Sequence, residues 1–179
     1  MKNHFVFVLF LFSFLGSAQS SKHVEAGLFK INALTPGVSY EFGVGKDFTL
    51  NLDALLGFAL NGGSDRDTEF GLFPGIQADF RYFTNMERRL AKGKNISGNS
   101  GNYLAITNVL SSGESIVGDL DYSSNYFHNI AFLYGIQRTR PKGFYWGLSF
   151  GPGAFTDDFG TDFGLFIDGR IGWVISKRN

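Results

Sequence analysis

The sequence predicts an all-β fold, an eight-stranded antiparallel up-and-down β-barrel that crosses a membrane. Three observations predict it: apolar and polar residues alternate along most of the chain, the alternating segments can cross a bilayer, and a secretion signal precedes them. The alternation is clearest between Phe163 and Ile175, where the odd positions are almost all large and apolar. The even positions there include Gly164, Asp168 and Arg170. Period-two alternation indicates a strand with one apolar and one polar face, and about eight such strands describe a small transmembrane barrel.

The first 18 residues are typical of a secretory signal peptide. Lys2 supplies the positive start, residues 5–15 form an apolar run, and Gly16-Ser17-Ala18 places small residues at the cleavage site. An apolar run this short cannot cross roughly 30 Å of hydrocarbon as a helix. We therefore expect cleavage, followed by export of one domain, residues 19–179.

Composition excludes several classes of function. The chain has no cysteine, which rules out disulfides, thiol catalysis and cysteine-ligated zinc. Its net charge of zero argues against nucleic acid as a partner. The chain combines 24 glycines with 21 Phe, 7 Tyr and 2 Trp. Because glycine weakens a strand, so many glycines in a strand-rich chain indicate crowded or bent positions. No cofactor is predicted.

Eight strands follow one another along the chain, the first with the weakest alternation. They cover residues 25–34, 38–45, 48–60, 70–83, 102–112, 127–138, 144–155 and 162–176. Three connections have the residues of tight turns: Thr35-Pro36-Gly37, Lys46-Asp47 and Pro141-Lys142-Gly143.

The remaining connections are longer. Polar loops are predicted at residues 61–69, 113–126 and 156–161. The longest connection, residues 84–101, is predicted to begin with a short helix at residues 86–92. Its Gly/Ser/Asn-rich remainder is expected to be flexible.

Parity assigns the faces of the strands. One face is large and apolar: Val38, Tyr40, Phe42, Val44, Leu50, Leu52, Ala54, Leu56, Phe58, Leu72, Ile76, Phe80, Tyr82, Phe144, Trp146, Leu148 and Phe150. The opposite face has mostly Gly, Ser, Asn and Ala, with a few charges in the middle of strands. The fifth strand is ambiguous, since either the odd positions 103–109 or the even positions 104–110 could face outward.

The composition of the polar face indicates which face is outside. A soluble ligand-binding barrel of the lipocalin kind also alternates, with its apolar face inward, but its water-exposed face should have many Lys, Glu and Thr residues. Small residues with scattered charges instead suit a narrow interior, in which charges must pair. The predicted interior charge network contains Lys30, Glu41, Asp53, Asp79, Arg81, Asp168 and Arg170.

Aromatic residues fall into two predicted girdles, as in bilayer-spanning barrels. With both termini in the periplasm, the outer girdle contains Tyr40, Phe58, Phe70, Phe150 and Phe163. The inner girdle contains Phe48, Tyr82, Phe144, Trp146 and Trp173.

Three stretches support a family resemblance: Gly16-Ser17-Ala18-Gln19, Pro36-Gly37-Val38-Ser39-Tyr40-Glu41, and residues 88–94 leading to Gly101-Asn102-Tyr103-Leu104. The chain resembles the small eight-stranded outer-membrane barrels, which include the outer membrane protein A transmembrane domain and outer membrane protein X. More closely it resembles the outer membrane protein beta-barrel, or porin-like, proteins of Bacteroidota. The resemblance implies a location in the outer membrane of a Gram-negative bacterium and assembly by the barrel-assembly machinery. The chain departs from the pattern in its C-terminal Ser176-Lys177-Arg178-Asn179, which lacks a terminal aromatic residue.

Charge is partitioned between the two predicted ends. The outer loops contain acids against Arg66 alone: Asp65, Asp67, Glu69, Glu114, Asp119, Asp121, Asp157, Asp158 and Asp162. These acids are weak candidates for binding divalent cations. The inner end is basic, with Glu25, Asp47 and Glu87 as the acids on that side: Lys22, Lys46, Arg88, Arg89, Lys92, Lys94, Arg138, Arg140, Lys142, Lys177 and Arg178. Its predicted partner is the phospholipid of the outer membrane.

The functional expectation is a monomeric, non-enzymatic barrel with a structural or surface-recognition role and no open channel, because side chains fill an eight-stranded interior. Two alternatives stay open. One is a lipid-modifying enzyme that uses His128 with Ser123, Ser124 and Glu114, although an ordinary polar residue at the membrane interface explains His128 better. The other is a soluble lipocalin-like lipid carrier.

Overall fold

The structure is a computed structural model that describes residues 23–63 and 66–178. The predicted signal peptide lies outside the described residues. The described chain contains nine strands and one short helix: β1 (Gly27–Asn32), β2 (Gly37–Gly43), β3 (Phe48–Gly63), β4 (Arg66–Phe83), α1 (Met86–Ala91), β5 (Asn102–Ser112), β6 (Val117–Gly118), β7 (Tyr126–Thr139), β8 (Phe144–Thr156) and β9 (Thr161–Arg178).

Eight of the strands close into a ring. They lie in the order β3-β2-β1-β9-β8-β7-β5-β4, and pairing of β3 with β4 completes the circle. Every pairing is antiparallel. A sheet that closes on itself in this way is a β-barrel. The eight predicted strands are the eight strands of the ring, each within a few residues of its predicted bounds.

Two predicted loops contain additional strand structure. The segment 61–69 is largely strand, because the β3–β4 ladder continues through Asn61↔Glu69 and only residues 64 and 65 separate the two strands. The segment 113–126 contains β6, whose residues pair with Gly71 and Leu72 of β4. Tertiary pairing extends the sheet here, although the local sequence is polar.

The exterior side of the wall is apolar, whereas the interior side carries the buried polar and charged side chains together with some apolar ones. Residues at successive positions of each strand alternate between buried and exposed, as in β5, where Tyr103, Ala105, Thr107 and Val109 are buried. This settles the facing of the fifth predicted strand. The predicted apolar set faces the exterior, including Leu52, Phe80, Leu148 and Ile167, which are all exposed. The apolar face therefore points away from the interior, the opposite of a lipocalin-type barrel.

Glycine makes room for large interior side chains. Gly135 of β7 lies opposite Tyr103 of β5, and a Cβ atom at this position would overlap the Tyr103 ring. Tyr103 in turn lies beneath the guanidinium of Arg81, whose Cζ is 5.0 Å from the ring centroid. The glycine-rich polar face predicted a crowded interior, and this contact shows the crowding.

We name the end that holds residues 23–26 and the end of β9 the inner end, and the opposite end the outer end. The wall is uneven at the outer end because β1 and β2 are short. The turn between them is bonded on both sides, from Ala33 N to Ile171 O at 2.8 Å and from Leu56 N to Pro36 O at 2.8 Å. Beyond these bonds, and within the described residues, neither β3 from 57 to 63 nor β9 from 161 to 170 has a partner strand on this side. We name this gap between β3 and β9 the side opening.

Candidate functional site

The interior contains all seven residues of the predicted charge network. Each occupies an inward position on β1, β2, β3, β4 or β9. Six are buried, and Asp168 is partly buried. The structure joins the seven into one continuous set of ion pairs, as the following contacts show.

The first part of the network surrounds Glu41. Lys30 Nζ donates to Glu41 Oε2 at 2.8 Å, and Thr49 Oγ1 donates to Glu41 Oε1 at 2.8 Å. Arg81 Nη1 lies 3.8 Å from Glu41 Oε1. Both oxygens of this fully buried carboxylate therefore have partners, which offsets the cost of removing it from water.

The second part is organised by Arg81 and Arg170. Arg81 Nη2 donates to Asp79 Oδ2 at 2.5 Å. Arg170 contacts three acids: Nη1 lies 2.8 Å from Asp53, Nε lies 2.8 Å from Asp168, and Nη2 lies 3.4 Å from Asp79. Arg170 thus links β9 to β3 and β4 across the interior.

Neutral donors complete the network, in which three cations face four carboxylates. Gln77 Nε2 and Thr107 Oγ1 donate to Asp79 Oδ1 at 2.8 Å and 3.0 Å. Asn51 Nδ2 donates to Asp53 Oδ2 at 2.6 Å, and the Ser39 hydroxyl also donates to Asp53. Charge-assisted bonds of this kind are stronger than neutral ones, and each of the four carboxylates of the network accepts at least one of them.

The connection between β4 and β5 closes the inner end, contrary to the expected flexibility of residues 93–101. Asn99, which is buried, accepts a bond from Glu25 N through Oδ1 at 2.8 Å. The backbone oxygens of Gly98 and Asn99 accept bonds from Gln137 Nε2 at 3.1 Å and 3.3 Å. The Ser100 hydroxyl accepts a bond from Thr139 N at 2.8 Å. We name residues 95–101 the inner lid.

The outer half of the interior differs from the centre, because it contains a cavity of about 480 Å³. The inward side chains around it are mostly apolar: Leu55, Phe73, Val109, Phe127 and Phe155. Tyr122, from the loop after β5, packs on Phe73 with ring centroids 4.9 Å apart. Parity did not predict this apolar half, since only the charged inward positions were singled out.

The outer rim is acidic. The charged side chains that the structure describes at this end are all carboxylates: Glu69, Glu114, Asp119, Asp121, Asp157, Asp158 and Asp162. Asp158 Oδ2 accepts bonds from the backbone and side-chain nitrogens of Asn125, both at 2.7 Å, and these bonds hold the pKa of Asp158 below its ordinary value. Among the described residues, no group of three or more His, Asp or Glu side chains converges on a metal site.

The inner rim is basic. A cavity of about 620 Å³ is lined there by Arg89, Arg138, Arg140, Lys177 and Trp146, together with polar residues of the inner lid. A neighbouring cavity of about 320 Å³ adds Arg88, Lys92 and Lys94. The sequence predicts these cations at one end, and in the structure they lie together around the inner end of the barrel.

Among the described hydrogen bonds, none supports the catalytic group considered around His128. It faces outward on β7, opposite Leu110 and Thr156. The Ser124 hydroxyl donates to Tyr126 O at 2.8 Å and accepts a bond from Asp158 N at 3.1 Å. Within the described residues, no hydrogen bond joins His128 to Ser123, Ser124 or Glu114, so the geometry gives a nucleophilic triad no support.

Fold and site together define the class of the protein: an antiparallel β-barrel with an ion-paired centre, an apolar outer cavity and an apolar exterior. No helix among the described residues is both long and apolar enough to cross a membrane. No protein-family model, curated protein or solved structure matches the chain.

Proposed function

We propose that the protein is an integral outer-membrane β-barrel with a structural or surface-recognition role, without enzymatic activity and without an open channel. The observation that carries the proposal is the reversed polarity of the ring: its charges are buried inside and its large apolar side chains are exposed outside. A bilayer barrel needs this distribution, with a polar interior and an outward apolar band about 25 Å tall.

The exterior is hard to reconcile with water on all sides. Exposed large apolar residues occur on every strand of the ring, among them Ile31, Phe42, Leu52, Ile76, Ile106, Phe132, Leu148 and Ile167. Soluble monomers rarely expose contiguous apolar patches larger than a few hundred Å². Hydrocarbon outside the wall removes that cost, and closure of the ring satisfies most of the backbone bonds that lipid cannot provide.

The aromatic side chains predicted for the two girdles face the exterior, but two members of the outer girdle do not lie at the outer end. Tyr40 pairs with Phe29 and Leu52, and Phe150 pairs with Ile167, nearer the middle of the wall. At the inner end Phe48 stacks on Tyr82 with ring centroids 4.8 Å apart, and Phe144 meets Trp173 at 5.8 Å. At the outer end Phe58, Phe70 and Phe163 are exposed. Aromatic rings favour the interface between hydrocarbon and head groups.

The same interior argues against conduction of solutes. Arg81 contacts Glu41 of β2 and Arg170 contacts Asp53 of β3 across the interior, and the inner lid covers the end below them. An ion entering the barrel would have to break buried ion pairs, which costs several kcal/mol per uncompensated charge. The two rims then remain as the sites of function. The basic inner rim would bind lipid head groups. The acidic outer rim would act in surface recognition and bind divalent cations weakly.

Orientation gives the first test of this proposal. The inner end should face the periplasm, since an exported chain with an even strand count in its ring leaves both termini there. Cysteine placed at Asp121 should therefore react with an impermeant thiol reagent on whole cells, whereas cysteine at Lys92 should react only after the outer membrane is opened. The chain has no native cysteine, so background labelling is absent.

Both labelled positions are exposed in the structure. A difference in labelling on whole cells therefore reflects the membrane and not burial within the protein. Labelling at Lys92 on intact cells, with none at Asp121, would mean that the barrel is inverted. Equal labelling of both after export, with the protein recovered in the soluble fraction, would reject the outer-membrane location.

A further inference from the structure

We propose that the outer cavity binds a single aliphatic chain with a head group that is not anionic, and that the chain enters from the lipid through the side opening. This proposal rests on the membrane location proposed above and adds a ligand to it. It concerns only the outer half of the interior, which the charge network does not fill.

The cavity has the size and chemistry of a ligand pocket. Its volume of about 480 Å³ falls within the roughly 300–1,000 Å³ of small-molecule sites, which are mostly apolar with a few polar groups. The Tyr122 ring packs edge-on against Phe127 with centroids 5.0 Å apart, and Phe155 stacks on Phe166 at 6.0 Å. These contacts hold the apolar walls in place without a ligand.

The floor of the cavity is polar, which sets how deep a chain can go. Asp53 is the next inward residue after Leu55 on β3, and Thr107 is the next after Val109 on β5. Both lie in or beside the network, and Asp53 is held by Arg170 at 2.8 Å. A hydrocarbon chain can therefore occupy the cavity on the outer side of Asp53 and Thr107, and the charge network stops it from going deeper.

The side opening connects the cavity to the exterior. The cavity wall includes inward-facing Gly57 and outward-facing Phe58, so the cavity reaches the edge of β3 that has no partner strand among the described residues. Three residues of β9 lie beside the side opening and are among the most exposed apolar residues described: Phe163, Leu165 and Ile167. Irregular or unpaired backbone at membrane depth is tolerated where it lines a cavity, and lipid chains are the phase that this opening faces.

The rim indicates the charge of the head group. Asp157 and Asp162 belong to the cavity wall at its outer end, and the further charges described at this end are also acidic. A carboxylate or phosphate head group beside them would be repelled, whereas an uncharged or cationic one would not. The ligand class is thus an aliphatic alcohol, ester or amine rather than a fatty acid anion.

The experiment uses a long-chain alcohol with a terminal diazirine, the purified full-length barrel and phosphatidylcholine vesicles. After illumination, adducts are mapped by peptide mass spectrometry. We expect adducts on outward residues such as Leu148 and also on the inward residues Val109 and Phe155. Replacing the alcohol by the matching carboxylate at neutral pH should lower the inward adducts but not the outward ones.

Two phenylalanine substitutions test the cavity itself. Ala59→Phe adds a ring to the cavity wall, because Ala59 lines the cavity. It should lower the inward adducts about tenfold, equivalent to about 1.4 kcal/mol of binding. Ala78→Phe makes the same change at an outward position of the neighbouring strand β4, opposite Leu52, and should leave both sets of adducts unchanged.

The outcomes separate this inference from the function on which it rests. Outward adducts without inward adducts would overturn the ligand proposal and leave the membrane barrel in place. Absence of adducts on both faces would overturn both proposals. Inward adducts that persist at full strength in Ala59→Phe, or that are equally strong with the carboxylate probe, would also overturn the proposed site or its head-group preference.

Discussion

Replacing Arg170 with alanine is expected to lower the free energy of unfolding by roughly 3–5 kcal/mol. The side chain is 6% exposed and contacts Asp53, Asp79 and Asp168. Its removal leaves Asp53 and Asp168 without a cation, although Asp79 keeps its bond to Arg81. Burying an uncompensated charge costs more than the lost attraction alone. The loss should appear as a lower urea midpoint for the refolded barrel in lipid vesicles.

Lys142→Ala is the matched control for this experiment. Lys142 also carries one positive charge, but it lies exposed in the turn between β7 and β8, where substitutions usually change stability by less than about 0.5 kcal/mol. A second variant, Arg170→Ala combined with Asp53→Asn, should recover part of the loss, because one unpaired charge is gone. Equal urea midpoints for Arg170→Ala and Lys142→Ala would reject a stabilising role for the network.

Ile167→Arg should cost roughly 2–4 kcal/mol if its side chain meets hydrocarbon near the middle of the bilayer. Ile167 faces outward on β9, between the two aromatic girdles, and is 64% exposed. Ile116→Arg is the control, because Ile116 is 59% exposed in the loop after β5. Because the two side chains are almost equally exposed, a larger loss of unfolding free energy for Ile167→Arg than for Ile116→Arg shows that lipid surrounds Ile167. Small and equal effects in vesicles would mean that water, and not lipid, surrounds Ile167.

Much of the barrel could be predicted because its strands alternate over most of their length. In β8, for example, Trp146, Leu148 and Phe150 face the exterior, while Tyr145 and Ser149 are buried. The same parity places Asp53, Asp79 and Arg170 on the interior face before any contact is known. The pairing of acids with bases could not be predicted. It depends on how far strands that are distant in the chain are staggered relative to one another, and no local sequence pattern contains that information.

The outer cavity could not be predicted, because the alternation disappears there. Leu72-Phe73-Pro74 on β4 and Ala154-Phe155 on β8 are apolar at inward as well as outward positions. The outward assignment of a residue such as Leu72 therefore does not show that the interior beside it is apolar too. The side opening was missed for a different reason. The first strand has weak alternation and the second a regular one, but neither pattern shows how far the strands extend. The pairing of Asn32 with Gly172 shows that β1 ends well short of Thr161, where β9 begins at the outer end.

The inner lid shows a third limit. Asn99 and Ser100 belong to a stretch whose composition is typical of flexible linkers. In the structure Asn99 and Ser100 are buried through bonds to Glu25, Gln137 and Thr139, which are distant in the chain. Composition indicates how flexible a segment is in isolation. In the folded protein, hydrogen bonds to distant residues hold this segment in one conformation.

The measurement that most directly tests the central claim is spin-label accessibility in lipid vesicles. Leu148→Cys and Ile106→Cys place the label at exposed outward positions of β8 and β5, and Lys142→Cys places it at an exposed turn. If the barrel is embedded, collisions with oxygen, which concentrates in hydrocarbon, should dominate at Leu148 and Ile106. Collisions with a water-soluble nickel complex should dominate at Lys142. Nickel collisions as frequent at Leu148 and Ile106 as at Lys142 would contradict the membrane barrel.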